Sequence, residues 1–337
     1  MEENKIIKDI RILTEDFIPS RIVHRESQLS TLRDCLKPAM ENKSTRNVFM
    51  HGSPGTGKTC ISSYLISELK ENADISTAYV NCWKNSTRFN VLYKIVSDLG
   101  FNLSVHRKGT PLDELLYIME NKLSEKPCII ILDELDRIEN DRVIYDLLSF
   151  PQISIIMIAN TETAMYNFDT RIRSRLSSSE NIQFPSYSNS DIVDILKDRA
   201  EWGLFPNVIK DSQVEKIAEM SGGDARSAIG VLRNISEHAD NKGLSKIPEK
   251  LMEKPVIISK LKDMQNLNEN QKTICSILER KNKISPSELY QNYLVACEEC
   301  SIKPVTERRL RTFVEELISS GIISSEGNTK SRVYFLN

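Results

Sequence analysis

The sequence predicts an α/β protein in which a parallel sheet covered by helices comes first, a small helical domain follows, and a domain of helices with a β-wing closes the chain. Three observations lead there. Apolar, β-rich runs alternate with helical patterns through about residue 185, the mark of βαβ units. From Ser188 onward the pattern is helical alone. After Lys242 to Asn266, where Pro248 and Pro255 lie among many lysines and periodicity is weak, three helical stretches and a turn-linked strand pair remain. The expected domains are therefore an α/β domain at 1–185, a small helical domain with linker at 186–260 and a last domain at 261–337.

The elements follow in order. Asn47 to Met50 is a short apolar run ending in HGSPGTGKT, and Ile61, Leu65 and Leu69 continue as a helical stripe, so strand, glycine loop and helix succeed one another. Thr77 to Cys82 reads as a second strand, followed by a helix with Leu92, Ile95, Val96 and Leu99 on one face. The next helix is expected to take Thr110 as its cap, Pro111 in its first turn and Asp113 at the capping-box position, with Leu112, Leu115, Leu116 and Met119 buried. CIIIL at Cys128 to Leu132 and ISIIMIA at Ile153 to Ala159 are continuous β-rich runs, as in strands covered on both faces. Three helices of the small helical domain are placed by Ile192, Ile195 and Leu196, by Val214 and Ile217, and by Ile229 and Leu232.

In the last domain the first helix carries Ile274, Ile277 and Leu278, and Ser285, Pro286 and Glu288 announce the second. Thr306 caps the third, whose Leu310, Phe313, Val314, Leu317 and Ile318 recur at helical spacing until Gly321. Strands at Ile322 to Ser324 and Arg332 to Leu336 flank Gly327 and Asn328, which completes a winged helix.

Composition narrows the function classes. With 337 residues, 40% hydrophobic and 27% charged, the chain has the balance of a globular protein of two or three domains. A formal net charge of −2 gives no global positive field, so any nucleic-acid contact must be local. The charged start MEENKIIKDI and the lack of a long apolar run argue against a signal peptide or membrane span, and the expected setting is cytoplasmic. Seven scattered cysteines, an odd number, fit reduced thiols. Cys297 and Cys300 form a lone CxxC without a second pair or a nearby histidine, so helix packing is preferred over metal binding.

Gly52, Gly55, Thr56, Gly57, Lys58 and Thr59 satisfy the phosphate-loop pattern G-x-x-x-x-G-K-[ST], in which backbone N–H groups cradle phosphates at a helix N-terminus. Lys58 is expected to reach the β- and γ-phosphates of ATP or ADP, and Thr59 to hold Mg²⁺. Asp133 and Glu134 end an apolar strand, at the carboxyl edge of the sheet where ligands bind. Asp133 would support Mg²⁺ and Glu134 would orient or deprotonate the attacking water. Asn160 ends the next strand, where its amide could bond the γ-phosphate or its water, or simply form a turn. Arg171, Arg173 and Arg175 in DTRIRSRL could face a γ-phosphate in an adjoining subunit, with an ordinary basic surface as the alternative. In SGGDAR, Asp224 can cap a helix that presents Arg226 toward the phosphates. Leu310 and its companions bury one face of the last helix and leave Arg308 and Thr312 outward, flanked by Arg309 and Arg311, as a major-groove reader. Lys330 and Arg332 on the wing could grip phosphate or the minor groove, although winged helices also bind proteins and Glu307, Glu315 and Glu316 dilute the positive face.

Taken in order, the phosphate loop, ILDELD, IAN, the arginine cluster, FPSY at Phe184 to Tyr187 and GGDARSAI resemble the archaeal replication initiators related to origin recognition complex subunits and the cell-division-control helicase loader. FIPSRIVHRESQL at Phe17 to Leu29 is similar to the segment that closes over adenine in that family. The resemblance spans nearly the whole chain and implies an AAA+ ATPase with a lid and a winged helix. It implies Asp133 and Glu134 as Walker B, Asn160 as sensor one, Arg226 as sensor two, and Tyr187 and Arg199 as lid positions touching nucleotide. Arg175 is the first choice of finger and Arg171 the second, and the helical stretch Thr87 to Leu99 matches the initiator-specific element beside DNA. Implied partners are duplex origin DNA, the replicative minichromosome maintenance helicase and paralogous initiator subunits. The wing is poorer in arginine and glycine than the family pattern. Two other functions are consistent with the residues: a DNA-binding regulator whose nucleotide never turns over, and a loader or targeting ATPase serving transposition or clamp loading.

Overall fold

The computed structural model describes residues 6–41, 43, 45–101, 110–123, 126–253, 269–281, 283–299, 304–319, 323–326 and 333–336. The chain divides into two compact units, Met1–Met252 and Glu253–Asn337.

The first unit is built on five parallel strands: β1 (Val48–His51), β2 (Ser76–Asn81), β3 (Cys128–Asp133), β4 (Ile153–Ala159) and β5 (Glu180–Gln183), in the spatial order β2-β3-β4-β1-β5. Every residue of β1, β3 and β4 is buried, as their unbroken apolar runs require. Period-two alternation then divides the core between the two faces. Ile130, Leu132, Ile155 and Met157 enter one apolar cluster, while Ile129, Ile131, Ile156 and Ile158 enter the other.

Helices α1 (Glu26–Leu36) and α2 (Lys58–Asn72) supply Leu32, Leu36, Ile61 and Leu65 to the second of those clusters. The first cluster is closed by α3 (Arg88–Asp98), α4 (Leu112–Lys122), α5 (Arg142–Leu147) and α6 (Thr170–Leu176). The start of α4 differs from the sequence expectation. Pro111 occupies the cap position itself, with ψ 154, and no side chain caps the helix. The extended backbone at Pro111 delays helical geometry to Leu112, and Asp113 and Glu114 instead place negative charge against the N-terminal dipole.

The lid comprises α7 (Asn189–Gly203), α8 (Asp211–Ser221) and α9 (Ala225–Asn241). A reciprocal capping box between Ser188 and Asp191 opens α7. The amino-terminal segment docks on this lid through backbone bonds: the amides of Lys8 and Asp9 donate to the Gly203 carbonyl, and that of Phe205 donates to the Ile6 carbonyl. Burial raises the thiols of Cys82 and Cys128 to about 12, which keeps them protonated. Iodoacetamide at neutral pH is expected to spare both in the native protein and label them on unfolding, as read by peptide mass.

The second unit contains α10 (Glu269–Lys281), α11 (Pro286–Glu299), α12 (Glu307–Ser319) and the antiparallel pair β6 (Ile323–Glu326) and β7 (Val333–Leu336). Its core gathers Ile274, Leu278, Leu289, Leu310, Val314 and Leu317, and Cys297 is buried there as packing. Tyr293 is fully buried; its hydroxyl donates to Asn270 Oδ1 at 2.6 Å and accepts from the Val305 amide at 3.1 Å. Tyr293→Phe should therefore destabilise this unit by about 1–3 kcal/mol, seen as an earlier urea transition, because two partners lose a buried bond. Gly321, Gly327, Asn328, Cys300, Lys330 and Arg332 lie outside the described residues, as do residues 254–266 of the stretch Lys242 to Asn266 expected as the linker.

Candidate nucleotide site

The phosphate loop leaves β1 and turns into α2 through Gly55 (φ +72) and Gly57 (φ +92). A Cβ on Gly55 would lie 1.8 Å from Asp224 Oδ1, and one on Gly57 would lie 2.7 Å from the Tyr187 hydroxyl, so the lid closes onto a loop that has no space for side chains. Backbone joins them too: the Ala225 amide donates to the Gly55 carbonyl at 3.1 Å.

Lys58 is buried, and its Nζ donates to the carbonyls of Gly52 at 2.6 Å and Ser53 at 2.8 Å. Burial lowers its pKa to about 8 even though Asp133 opposes the shift, since neutral carbonyls replace water poorly around an ammonium. A phosphate chain would supply the missing negative charge. Thr59 Oγ1 donates to Asp133 Oδ2 at 2.8 Å, joining the end of β3 to the start of α2. Asp133 is 6% exposed and also accepts from Tyr79 at 2.7 Å and from the Glu134 amide at 2.9 Å. Glu134 itself is left-handed at φ 54, an uncommon conformation for a residue with a Cβ. Glycine cradle, buried ammonium, hydroxyl and carboxylate fit a magnesium-bound nucleotide triphosphate.

Asn160 follows β4, and its backbone amide and Nδ2 donate to Asp136 at 3.2 and 3.4 Å. Asp224 caps α9 by accepting from the Ser227 amide at 3.0 Å. Arg226, in the first turn, pairs with Glu15 at 3.5 Å, and its charge is felt at Lys58. Tyr187 is buried at the lid hinge, and its amide donates to the Gly223 carbonyl at 3.3 Å. Arg199 is also buried, but its guanidinium donates to the carbonyls of Ile12 at 2.9 Å and Phe17 at 3.1 Å and lies over the Phe17 ring. The structure thus makes Arg199 the anchor of the amino-terminal segment on the lid. Arg175 and Arg171 are brought together on α6, lining a shallow, open surface depression with Tyr145, Thr170 and Ser174. Arg175 stacks on Tyr145 and donates to its hydroxyl at 3.1 Å.

Three residues escaped the sequence reading as individuals. Arg25, 5% exposed, donates from Nε to the Thr56 carbonyl at 3.2 Å and from Nη2 to the Pro185 carbonyl, while its guanidinium lies 3.9 Å from the Tyr187 ring centroid. It ties the phosphate loop to Pro185 and Tyr187, and its sequence signal was its place in the quoted segment Phe17 to Leu29, where it was not singled out. Tyr79 and Asp136 hold Asp133 and Asn160 respectively. A tyrosine amid the apolar run Thr77 to Cys82 and a second aspartate in ILDELD were the available hints.

In the second unit, α12 exposes Arg308, Arg309 and Arg311. Arg311 pairs with Glu307 at 2.6 Å, Arg309 lies over the Phe313 ring, and Thr312 Oγ1 donates to the Arg308 carbonyl at 3.2 Å. Among the described residues, no group of three or more His, Cys, Asp or Glu side chains is arranged to hold a metal ion, and no helix is long and apolar enough to cross a membrane.

Comparison with known proteins matches this architecture piece by piece. Family models for an AAA domain (41–164), a Cdc6 AAA+ ATPase-type lid domain (193–254) and a CDC6 C-terminal winged helix domain (262–336) fit in succession. An ORC1-type DNA replication protein 9 of Halobacterium salinarum is 34% identical, covering 99% of this chain and 94% of its own. An ORC1-type DNA replication protein of Pyrococcus horikoshii is 29% identical over 98% of this chain and 86% of its own. Among solved structures, the Aeropyrum pernix ORC1 protein in complex with DNA superposes with a TM-score of 0.77 at 25% identity, covering 99% of this chain and 94% of that one. Cdc6p from Pyrobaculum aerophilum shares the fold, with a TM-score of 0.69 at 22% identity, 98% of this chain and 94% of that one being covered. With the sheet, lid and winged helix all accounted for, this chain belongs to the archaeal ORC1-type family of AAA+ DNA replication initiators.

Proposed function

We propose that the chain binds ATP and duplex origin DNA together and helps recruit or load the replicative minichromosome maintenance helicase, with ATP binding and slow hydrolysis as its switch. One observation carries this reading: Lys58, Thr59 and Asp133 converge with the Gly55–Ala225 lid contact in one place, so what occupies the phosphate loop bears directly on the lid. Gly55, Thr56, Gly57 and Lys58 would cradle the phosphates, and Thr59 and Asp133 would hold Mg²⁺. Bound metal would neutralise charge on the phosphates. Glu134 would orient or deprotonate the attacking water, with Asn160 beside it, and Arg226 would follow the phosphates from the lid. Tyr187 and Arg199 would set the lid around the nucleotide. Arg175, or Arg171 in its place, would reach an adjoining paralogous subunit.

On DNA, Arg308 and Thr312 would read base edges in the major groove, Arg309 and Arg311 would hold backbone, and Lys330 and Arg332 would place the wing. The location follows as cytoplasmic, on the nucleoid. Anisotropy titrations of the ATP-bound protein against an origin duplex and a shuffled duplex, over a salt series, test the reading. The origin should bind more tightly throughout, and Arg308→Ala should cost about 1–3 kcal/mol on the origin and blunt the preference. Equal affinity for both duplexes at every salt concentration would reject specific recognition.

A further inference from the structure

The carboxylate of Asp133 is held by more than the phosphate loop. Its Oδ2 accepts two hydroxyls, Thr59 at 2.8 Å and Tyr79 at 2.7 Å, while Oδ1 accepts the Glu134 amide at 2.9 Å. Thr59 and Glu134 belong to the motifs expected to bind nucleotide, but Tyr79 belongs to neither. It lies on β2, the edge strand, opposite Ile131 on β3, whereas Asn81 is the residue opposite Asp133. The phenol therefore leans two positions along the strand to meet the carboxylate. Its backbone is fixed there by β2 and by the Tyr79 amide donating to Asp98 Oδ2 at 3.2 Å, so the reach is made from a rigid element. At 36% exposure the ring is not a core residue, and burial alone does not account for a large aromatic at this place.

Hydrogen bonds from neutral donors orient a carboxylate without cancelling its charge. With Asp133 almost wholly removed from water, each donor also fixes which oxygen faces which partner. We infer that Tyr79 is a positioning residue for the divalent-cation end of the nucleotide site: its hydroxyl holds Oδ2 of Asp133 beside the Thr59 hydroxyl and fixes the direction in which the carboxylate faces. The inference rests on the reading of Asp133 and Thr59 as the magnesium-supporting pair. The Asn81 side chain is the other hydrogen-bond partner of that hydroxyl, and phenylalanine at position 79 keeps the ring while removing the hydroxyl, so packing and hydrogen bonding are read separately.

The test compares wild type, Tyr79→Phe and Asp133→Asn. ATP is titrated calorimetrically with Mg²⁺ and with EDTA, and Mn²⁺ uptake is followed by electron paramagnetic resonance in the presence of ATP. Tyr79→Phe should lose about tenfold in apparent affinity for Mn²⁺, and a similar share of the Mg²⁺-dependent gain in ATP binding, with its EDTA affinity and melting temperature unchanged. Asp133→Asn should lose more. Full metal dependence in Tyr79→Phe alongside a loss in Asp133→Asn would overturn the role of Tyr79 alone. Metal dependence retained in Asp133→Asn would overturn the underlying reading and the inference with it. Equal weakening of Tyr79→Phe with Mg²⁺ and with EDTA, or a lowered melting temperature, would assign the residue to structure and overturn the positioning role.

Discussion

Glu134→Gln is expected to leave ATP binding within about twofold of wild type and to lower hydrolysis by roughly 10²- to 10⁴-fold, the usual contribution of a general base. Glu134 comes directly after β3, in a left-handed conformation at φ 54 and ψ 46, with its amide committed to Asp133 Oδ1 at 2.9 Å. Such a backbone is costly for a side chain with a Cβ and clusters at functional sites, where surrounding structure enforces it. Glutamine keeps the size and leaves the backbone amide bond in place but cannot take a proton. Single-turnover phosphate release, with the ATP dissociation constant measured in parallel, separates the two effects. A variant that turns ATP over like wild type would retire Glu134 from the chemistry, whereas no turnover by either protein would favour a regulator whose nucleotide is a structural ligand.

Gly55→Val should weaken ATP binding by about 10²-fold, equivalent to about 3 kcal/mol. Two costs combine. A left-handed φ of +72 strains any β-branched residue, and the added Cβ would sit 1.8 Å from Asp224 Oδ1. Asp224 cannot simply swing away, because its Oδ1 also caps α9 through Ser227. The loop and the lid must therefore part, and the Gly55–Ala225 backbone bond goes with them. Pairing the change with Asp224→Ala should recover part of the loss but not all of it, since the backbone strain and the missing cap remain. Such non-additivity is the sign of direct contact between the two positions.

Much of the fold was legible because burial on both faces of a sheet leaves an unbroken apolar run. Cys128 to Leu132 and Ile153 to Ala159 could hardly be anything but central strands, and both are. The phosphate loop and the Asp224 cap were equally readable, because their chemistry depends on residues close together in sequence. Thr110 was a reasonable cap by type, but Pro111 takes that place because its extended backbone ends the loop one residue later. Contacts made to distant backbone left no trace in the pattern of residue types. Arg25 finds the carbonyls of Thr56 and Pro185, and Arg199 those of Ile12 and Phe17, partners that any residue type could supply. The docking of Lys8 and Asp9 on Gly203 is hidden for the same reason. Tyr79 could not be singled out because its reach to Asp133 depends on the pairing of β2 with β3 and on a lean of two positions along the strand.

The most direct test of the whole account is equilibrium binding of radiolabelled ATP to the wild-type protein and to Lys58→Ala. The wild type should bind saturably at one site per chain, and Lys58→Ala should lose about 10²-fold in affinity, as expected when a charge-assisted contact to phosphate is removed. Equal binding by the two proteins, or none by either, would contradict it.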